Sequence, residues 1–289
     1  MTNLKPNYLL TNEDKTHLIE TKNQIMKKDE LSDRMKTYYE NRTKTYLPRR
    51  TYTIIRLDGK AFHTYTKGLK KPFDVDFISD MDDTACYLCK NIQGVKMAFV
   101  QSDEISILLT DFEKLTTDAW YDGNVQKITS VSASLTTGKF NELRYLRNFD
   151  ALTNESNIIL PNEIVECLTN KTAFFDSRTY TIPNNVEVEN YFIWRQQDTI
   201  RNSVASLSQS LFSSHELYNK NTNQQKCMCV SKNTDWNDLP IKHKHGRLIV
   251  KQSYTKNDSI RTKWVSVGVP LFTEEREILT KLIPIMYEN

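Results

Sequence analysis

Two short stretches carry side chains able to do chemistry together. Asp58-Gly59 follows an apolar run at 52–57, and Ser102-Asp103 connects two more, 95–101 and 104–110, the second opening with Glu104. Two carboxylates brought within a few ångströms repel each other, and their pKa values rise unless a cation neutralises them. Mg²⁺ suits such a pair: it takes one or two carboxylates and leaves its other positions to phosphate and water. Gly59, without a side chain, can turn its carbonyl toward the same ion. Ser102 can bond a phosphate or a metal-bound water. Lys60, His63, Lys67, Lys70 and Lys71 follow Asp58 closely and can neutralise phosphate oxygens. Asp and Gly are also ordinary turn residues, and a lone histidine such as His63 is more often structural than catalytic.

A second informative region is the run 192–204. Asp198 and Arg201 are three apart and share a helix face, with Arg195 and Asn202 within the same two turns. Such a face can bind nucleotide or RNA phosphates, or simply hold a solvated Asp–Arg pair.

The elements that must position these residues read as strand 51–57, helix 76–92, strands 95–101 and 104–110, helix 118–136, strand 173–183 and a long helix 186–213. In the last, Ile193, Ile200, Val204, Leu207 and Leu211 supply the buried stripe. Ahead of them, a helix over 31–46 starts from Ser32 as N-cap. Behind them come strands near 247–254 and 262–272, then a terminal helix capped by Thr273. The order strand–helix–strand–strand–helix–strand is the ferredoxin-like split arrangement, an α+β antiparallel sheet with helices on one face, on which polymerase palms and nucleotide cyclases are built. There the first and third strands are neighbours, so Asp58 faces Asp103 across one sheet end. Three segments are expected: a polar, helical extension 1–46, a palm-like domain 47–213 and a basic extension 214–289.

Composition sets bounds. The chain has 289 residues, net charge +3 and 38% hydrophobics, ordinary for a globular protein. No apolar run approaches the ~20 residues of a membrane helix, and the first residues lack a secretion-signal pattern, so a cytoplasmic location without membrane contact is expected. Five cysteines do not suggest a disulfide framework. Cys227 and Cys229 with His243 and His245 offer a Cys₂His₂ zinc set, at unusual spacing. Charge is uneven: residues 34–71 and 219–266 are basic, and residues 72–123 between them are acidic. This suggests a polyanion held around a carboxylate centre. P-loop, Rossmann, zincin and hydrolase signatures are absent.

The runs RLDGKAFHTYTKGLKKPFD, QSDEISILL, FFDSRTYTIP and YFIWRQQDTIRNSV together resemble the tRNA-His guanylyltransferase family of reverse, 3′–5′ nucleotidyltransferases, over roughly residues 31–211. The resemblance implies a palm core with two Mg²⁺ ions held by Asp58, the Gly59 carbonyl and Asp103, with Glu104 beside them. It implies His63 in activation, and a nucleotide site built from Lys60, Ala61, Phe62, His63, Lys71, Asp74, Ser102 and Asp103. GTP or another NTP and ATP are the implied substrates, tRNA the implied partner and a homotetramer the implied assembly. Arg49, Arg50, Lys67, Lys70, Arg178, Arg195, Asp198, Arg201 and Asn202 are the expected RNA or phosphate contacts. Family members dedicated to tRNA-His carry a His-Ile-Asn-Asn-Leu-Tyr run after W-R-Q-x-D. Here residues 199–204 read Thr-Ile-Arg-Asn-Ser-Val, which looks like the bacterial and phage-type branch and implies template-dependent repair of tRNA 5′ ends. A nucleotide cyclase on the same palm and a non-catalytic RNA-binding protein are the rival readings.

Overall fold

The computed structural model describes residues 28–154 and 171–286. Contacts divide the chain into two units, residues 1–45 and 46–289. Of the first, the described part is helix α1 (Lys28–Tyr38) and a 3₁₀ turn, Glu40–Thr43. Ser32 lies inside α1 rather than capping it, and the helix is shorter than the expected 31–46.

The second unit is built on one six-stranded antiparallel sheet. Its strands are β1 (Tyr52–Gly59), β2 (Val95–Gln101), β3 (Glu104–Leu109), β4 (Phe175–Ile182), β5 (Arg247–Lys256) and β6 (Ser259–Gly268). The spatial order is β4-β1-β3-β2-β5-β6. The first four strands have the expected ferredoxin-like order, and β1 runs beside β3. Strand β5 pairs with β2 through residues 247–249, so part of the 214–289 segment continues the same sheet.

Period-two alternation decides which side chains meet which layer. On one face Ile55, Leu57, Ile105 and Ile107 pack with the crossover helices α2 (Val75–Asn91) and α3 (Val125–Asn154). Helix α2 buries Phe77, Met81, Ala85 and Leu88, spaced 4, 4 and 3, and Asp74 caps it by accepting from the Phe77 amide at 2.8 Å. On the other face Ile54, Met97, Phe99 and Leu108 pack with α4 (Asn185–Leu211) and, near the C-terminus, α6 (Glu277–Leu282). Helices on a single face thus describe the four-stranded core with its two crossovers. The long helix α4 closes the second face, which is why β3 is buried at every position.

Three boundaries differ from expectation. Helix α3 starts at Val125 and runs well past 136: Gly138 sits in open space and interrupts nothing, at a helix cost of about 1 kcal/mol. The terminal helix begins at Glu277, with Arg276 rather than Thr273 at its N-cap. Between α4 and β5, in the basic extension, lies a helical segment centred on α5 (Thr222–Ser231). Its Cys229 and Trp236 pack on Val204 and Leu207 of α4.

Candidate active site

The turn after β1 explains its own sequence. A Cβ on Gly59 would lie 2.3 Å from the Phe62 ring, so only glycine lets Phe62 fold back. Phe62 is then buried among Tyr65, Phe77, Phe140 and Phe175. Such burial contributes roughly 1.5–3 kcal/mol. Ala61 takes the left-handed conformation at φ 55°, and one helical turn, Phe62–Tyr65, follows. Among the described residues the backbone N–H groups of Ala61, Phe62 and His63 have no hydrogen-bond partner. This turn therefore presents donors to an anion through its backbone, while the Phe62 ring is spent on the core.

The β1 and β3 register places Asp58 directly opposite Glu104, with Asp103 one residue further into the β2–β3 turn, where Ser102 has φ 42°. Asp58 and Asp103 are close enough for charge coupling. Burial first, then the charges of Asp58 and Glu104, push the Asp103 carboxyl up to about 6, against the Ser102 hydroxyl, which bonds the carboxylate and draws it down.

Glu104 has a different job. Arg195 of α4 donates to both its oxygens, Nε to Oε1 and Nη2 to Oε2, each at 2.7 Å. Arg195 also reaches Asp198 at 2.8 Å, and Asp198 accepts from Arg201 at 2.6 Å. Ser106 donates to Glu104 and bonds the Tyr191 hydroxyl. Arg56, between the two acids, has a nitrogen 3.7 Å from Asp58 and another 3.7 Å from Glu104. These distances lie beyond hydrogen-bonding range, and its buried Nε has no partner.

Asp58 and Asp103 therefore keep oxygens free of close cation partners, whereas Glu104 is saturated. Among the described residues no group of three His, Cys, Asp or Glu side chains could hold a metal. Two carboxylates, the Gly59 carbonyl and substrate oxygens remain a hard-oxygen set that fits Mg²⁺. The four candidate zinc ligands do not form a site. Cys227 is exposed and Cys229 buried, on different sides of α5. The His243 ring packs on Phe73, and His245 lies against the Val269 carbonyl.

A pocket of about 420 Å³ adjoins the Ser102 turn. It gathers His63, Lys67, Lys70, Lys71, Asp74 and Ser102 from the expected set, together with Asn202 of α4. Several other expectations are corrected. Asp74 spends one oxygen on the Phe77 amide and the other on the Lys70 amide, so it shapes the loop rather than meeting phosphate. Arg49 is held by Asp111 at 2.6 Å, by Asp122 and by the Thr117 carbonyl. Arg195 is only 4% exposed, with Nε and Nη2 engaged by Glu104 and Asp198. Both were expected to touch RNA; here Arg49 spends three of its five N–H donors on Asp111, Asp122 and the Thr117 carbonyl, and Arg195 spends three on Glu104 and Asp198. Arg50, Arg178 and Arg201 remain at the surface, the last two beside Asp176 and Asp198.

Thr199, Ser203, Ser206, Gln209, His243 and Arg247 also line the pocket, although sequence reasoning did not name them as nucleotide residues. The first four extend the helical face on which Asn202 was named, a signal available in the spacing. Neither of the last two carried a signal of this role, because the β2–β5 pairing that brings them in is non-local.

A ferredoxin-like palm with paired acids at the ends of β1 and β3, beside a lysine-lined polar pocket, defines a nucleotidyltransferase architecture. The family model described as Thg1, tRNAHis guanylyltransferase, matches residues 32–183, just over half of the chain, which therefore belongs to the tRNAHis guanylyltransferase family, nucleotidyltransferases that act on tRNA. A bacterial Thg1-like protein solved in complex with ATP is 39% identical, with a TM-score of 0.75 over 88% of this chain and 99% of that one. A bacterial Thg1-like protein solved with GTP is 40% identical, with a TM-score of 0.70 over 87% and 98%. An uncharacterised protein of Acanthamoeba polyphaga mimivirus is 28% identical over 254 residues, 84% of each chain. No helix among the described residues is long and apolar enough to cross a membrane.

Proposed function

We propose that this chain adds nucleotides to the 5′ end of tRNA in the 3′–5′ direction, in a metal-dependent and template-dependent way. The observation that carries the reading is the juxtaposition of Asp58 and Asp103, two acids without close cation partners, beside a pocket rimmed by Lys67, Lys70 and Lys71. Asp58, Asp103 and the Gly59 carbonyl are the residues that would hold Mg²⁺. Bound there, it would neutralise triphosphate charge and lower the pKa of an attacking hydroxyl.

The chain's own groups supply positioning. The 61–63 amides, Lys70 and Lys71 hold the triphosphate, and His63 contacts the phosphate being transferred. Ser102 bonds Asp103 and orients it. The 3′-hydroxyl of the incoming nucleotide attacks the activated 5′-phosphorus of the RNA. The new P–O bond forms as the leaving group, nucleotide monophosphate or pyrophosphate, departs. Phosphoryl transfer needs placement and charge stabilisation more than covalent chemistry, so this inventory suffices. ATP as activator, GTP or another templated NTP as donor, a homotetrameric assembly and a cytoplasmic location belong to the same proposal.

The test uses purified protein, labelled GTP and a tRNA lacking its first nucleotide. Label should enter the 5′ end with Mg²⁺ and not with EDTA, and should follow the opposing template base. Asp103→Ala should abolish incorporation without unfolding the protein. Incorporation that survives Asp103→Ala refutes the metal assignment.

A further inference from the structure

The pocket lining is of two chemical kinds. His63, Lys67, Lys70, Lys71 and Ser102 make a cationic set suited to phosphates. The other set is aromatic and neutral: Phe73, the α4 side chains Asn202, Ser206 and Gln209, and His243. The Phe73 and His243 rings pack in a tilted pair at 4.8 Å between centroids and 34° between planes. Among the described residues, the side chains of Asn202, Ser206 and Gln209 and the His243 ring nitrogens have no hydrogen-bond partner. Arg247 completes this set. It is 3% exposed, and Asp82 fixes it through Nε at 2.6 Å. Its Nη2 is buried without any acceptor. An unsatisfied buried guanidinium nitrogen costs free energy that an incoming acceptor relieves.

From this we infer that His243 and Arg247, which lie beyond the stretch matched by the family model, form the nucleobase set of the pocket: the base stacks on His243 with Phe73, and Arg247 donates from Nη2 to a carbonyl or ring-nitrogen acceptor on its edge. Aromatic faces take any base, whereas a fixed Arg donor favours the O6/N7 edge of guanine. Pairing with Asp82 offsets the Arg247 charge, so its contribution is a directed hydrogen bond rather than attraction for phosphate. Burial and the nearby Arg247 lower the His243 pKa, which keeps a neutral stacking ring. The inference rests on the nucleotidyltransferase reading and adds the source of base affinity.

The test is equilibrium binding of GTP, ATP and inorganic tripolyphosphate to the full chain. His243→Ala should weaken GTP about tenfold and leave tripolyphosphate unchanged, and His243→Phe should restore GTP binding. Because Arg247→Gln alone strands Asp82 and threatens folding, the double change Asp82→Asn with Arg247→Gln is used; it should narrow the preference for GTP over ATP. Unchanged GTP affinity in His243→Ala, or an equal loss for tripolyphosphate, overturns the assignment while leaving Asp103-dependent incorporation standing. A wild-type chain that binds no nucleotide overturns both.

Discussion

The molecule treats two groups of acids in opposite ways. On α2, Asp80 is wholly buried and answered by Arg144 at 2.9 Å and Arg147 at 2.8 Å, and Asp82 is answered by Arg247 and Ser266, each at 2.6 Å. At the ends of β1 and β3, among the described residues, Asp58 has only Arg56 at 3.7 Å, and Asp103 has Ser102 and its acidic neighbours. A fold that brings arginines to within hydrogen-bonding distance of its structural acids leaves these two without such a partner. The first group ties α2 to α3 and to strands β5 and β6; in the proposed function the second keeps its oxygens for a cation and substrate. Glu104 lies directly opposite Asp58 yet belongs to the first group, because Arg195 occupies both its oxygens.

Substitutions should separate the groups. Asp58→Ala and Asp103→Ala should each lower nucleotide incorporation by about three orders of magnitude or more while the melting temperature holds or rises. Asp80→Ala should do the reverse. Removing the buried acid leaves Arg144 without its carboxylate and Arg147 with only Asp76 at 3.4 Å among the described residues, and should cost about 3–5 kcal/mol in denaturant titration. Glu104→Gln tests the sorting itself. It should destabilise by about 2–3 kcal/mol through the Arg195 contact, with less effect on incorporation than either aspartate. A loss of incorporation matching Asp103→Ala, at wild-type stability, would move Glu104 into the second group.

The pH response gives a smaller signal. The Asp103 pKa in the folded protein lies near 6, above the ordinary carboxylate value of 3.8. Between those values the folded state binds more protons than the unfolded chain. Metal-free stability should therefore fall as pH rises from about 4 through 6, and Asp103→Asn should remove that component. Thiol chemistry should give the smallest effect of all. Cys227 is exposed, while burial drives Cys86 to about 11 and raises Cys89 further, so mild alkylation near neutral pH should label Cys227 and leave those two unreacted.

Local chemistry was the legible part of this sequence. The strand order, the acid-bearing strand ends and the lysine loop follow from alternation, turn residues and spacing that operate within a few residues. The Asp58–Glu104 opposition follows once β1 and β3 are neighbours. Ion pairing was not legible. Nothing near Glu104 in the chain announces Arg195, 91 residues away, and nothing near Arg49 announces Asp111. Both arginines read as phosphate contacts because sequence shows charge without showing what already answers it. The same limit hid Arg247, whose partner Asp82 is 165 residues distant. Gly59 was legible as a special position, but its reason is the Phe62 ring folding back on it, a packing fact rather than a ligand geometry.

The central claim is that Asp58 and Asp103 jointly hold a divalent cation. Calorimetric titration of Mg²⁺ into the GTP-loaded chain and into its Asp58→Asn and Asp103→Asn variants tests it most directly. The account predicts saturable Mg²⁺ binding that either substitution removes while Glu104→Gln retains it. Binding unchanged in both aspartate variants, or lost only with Glu104, would contradict it.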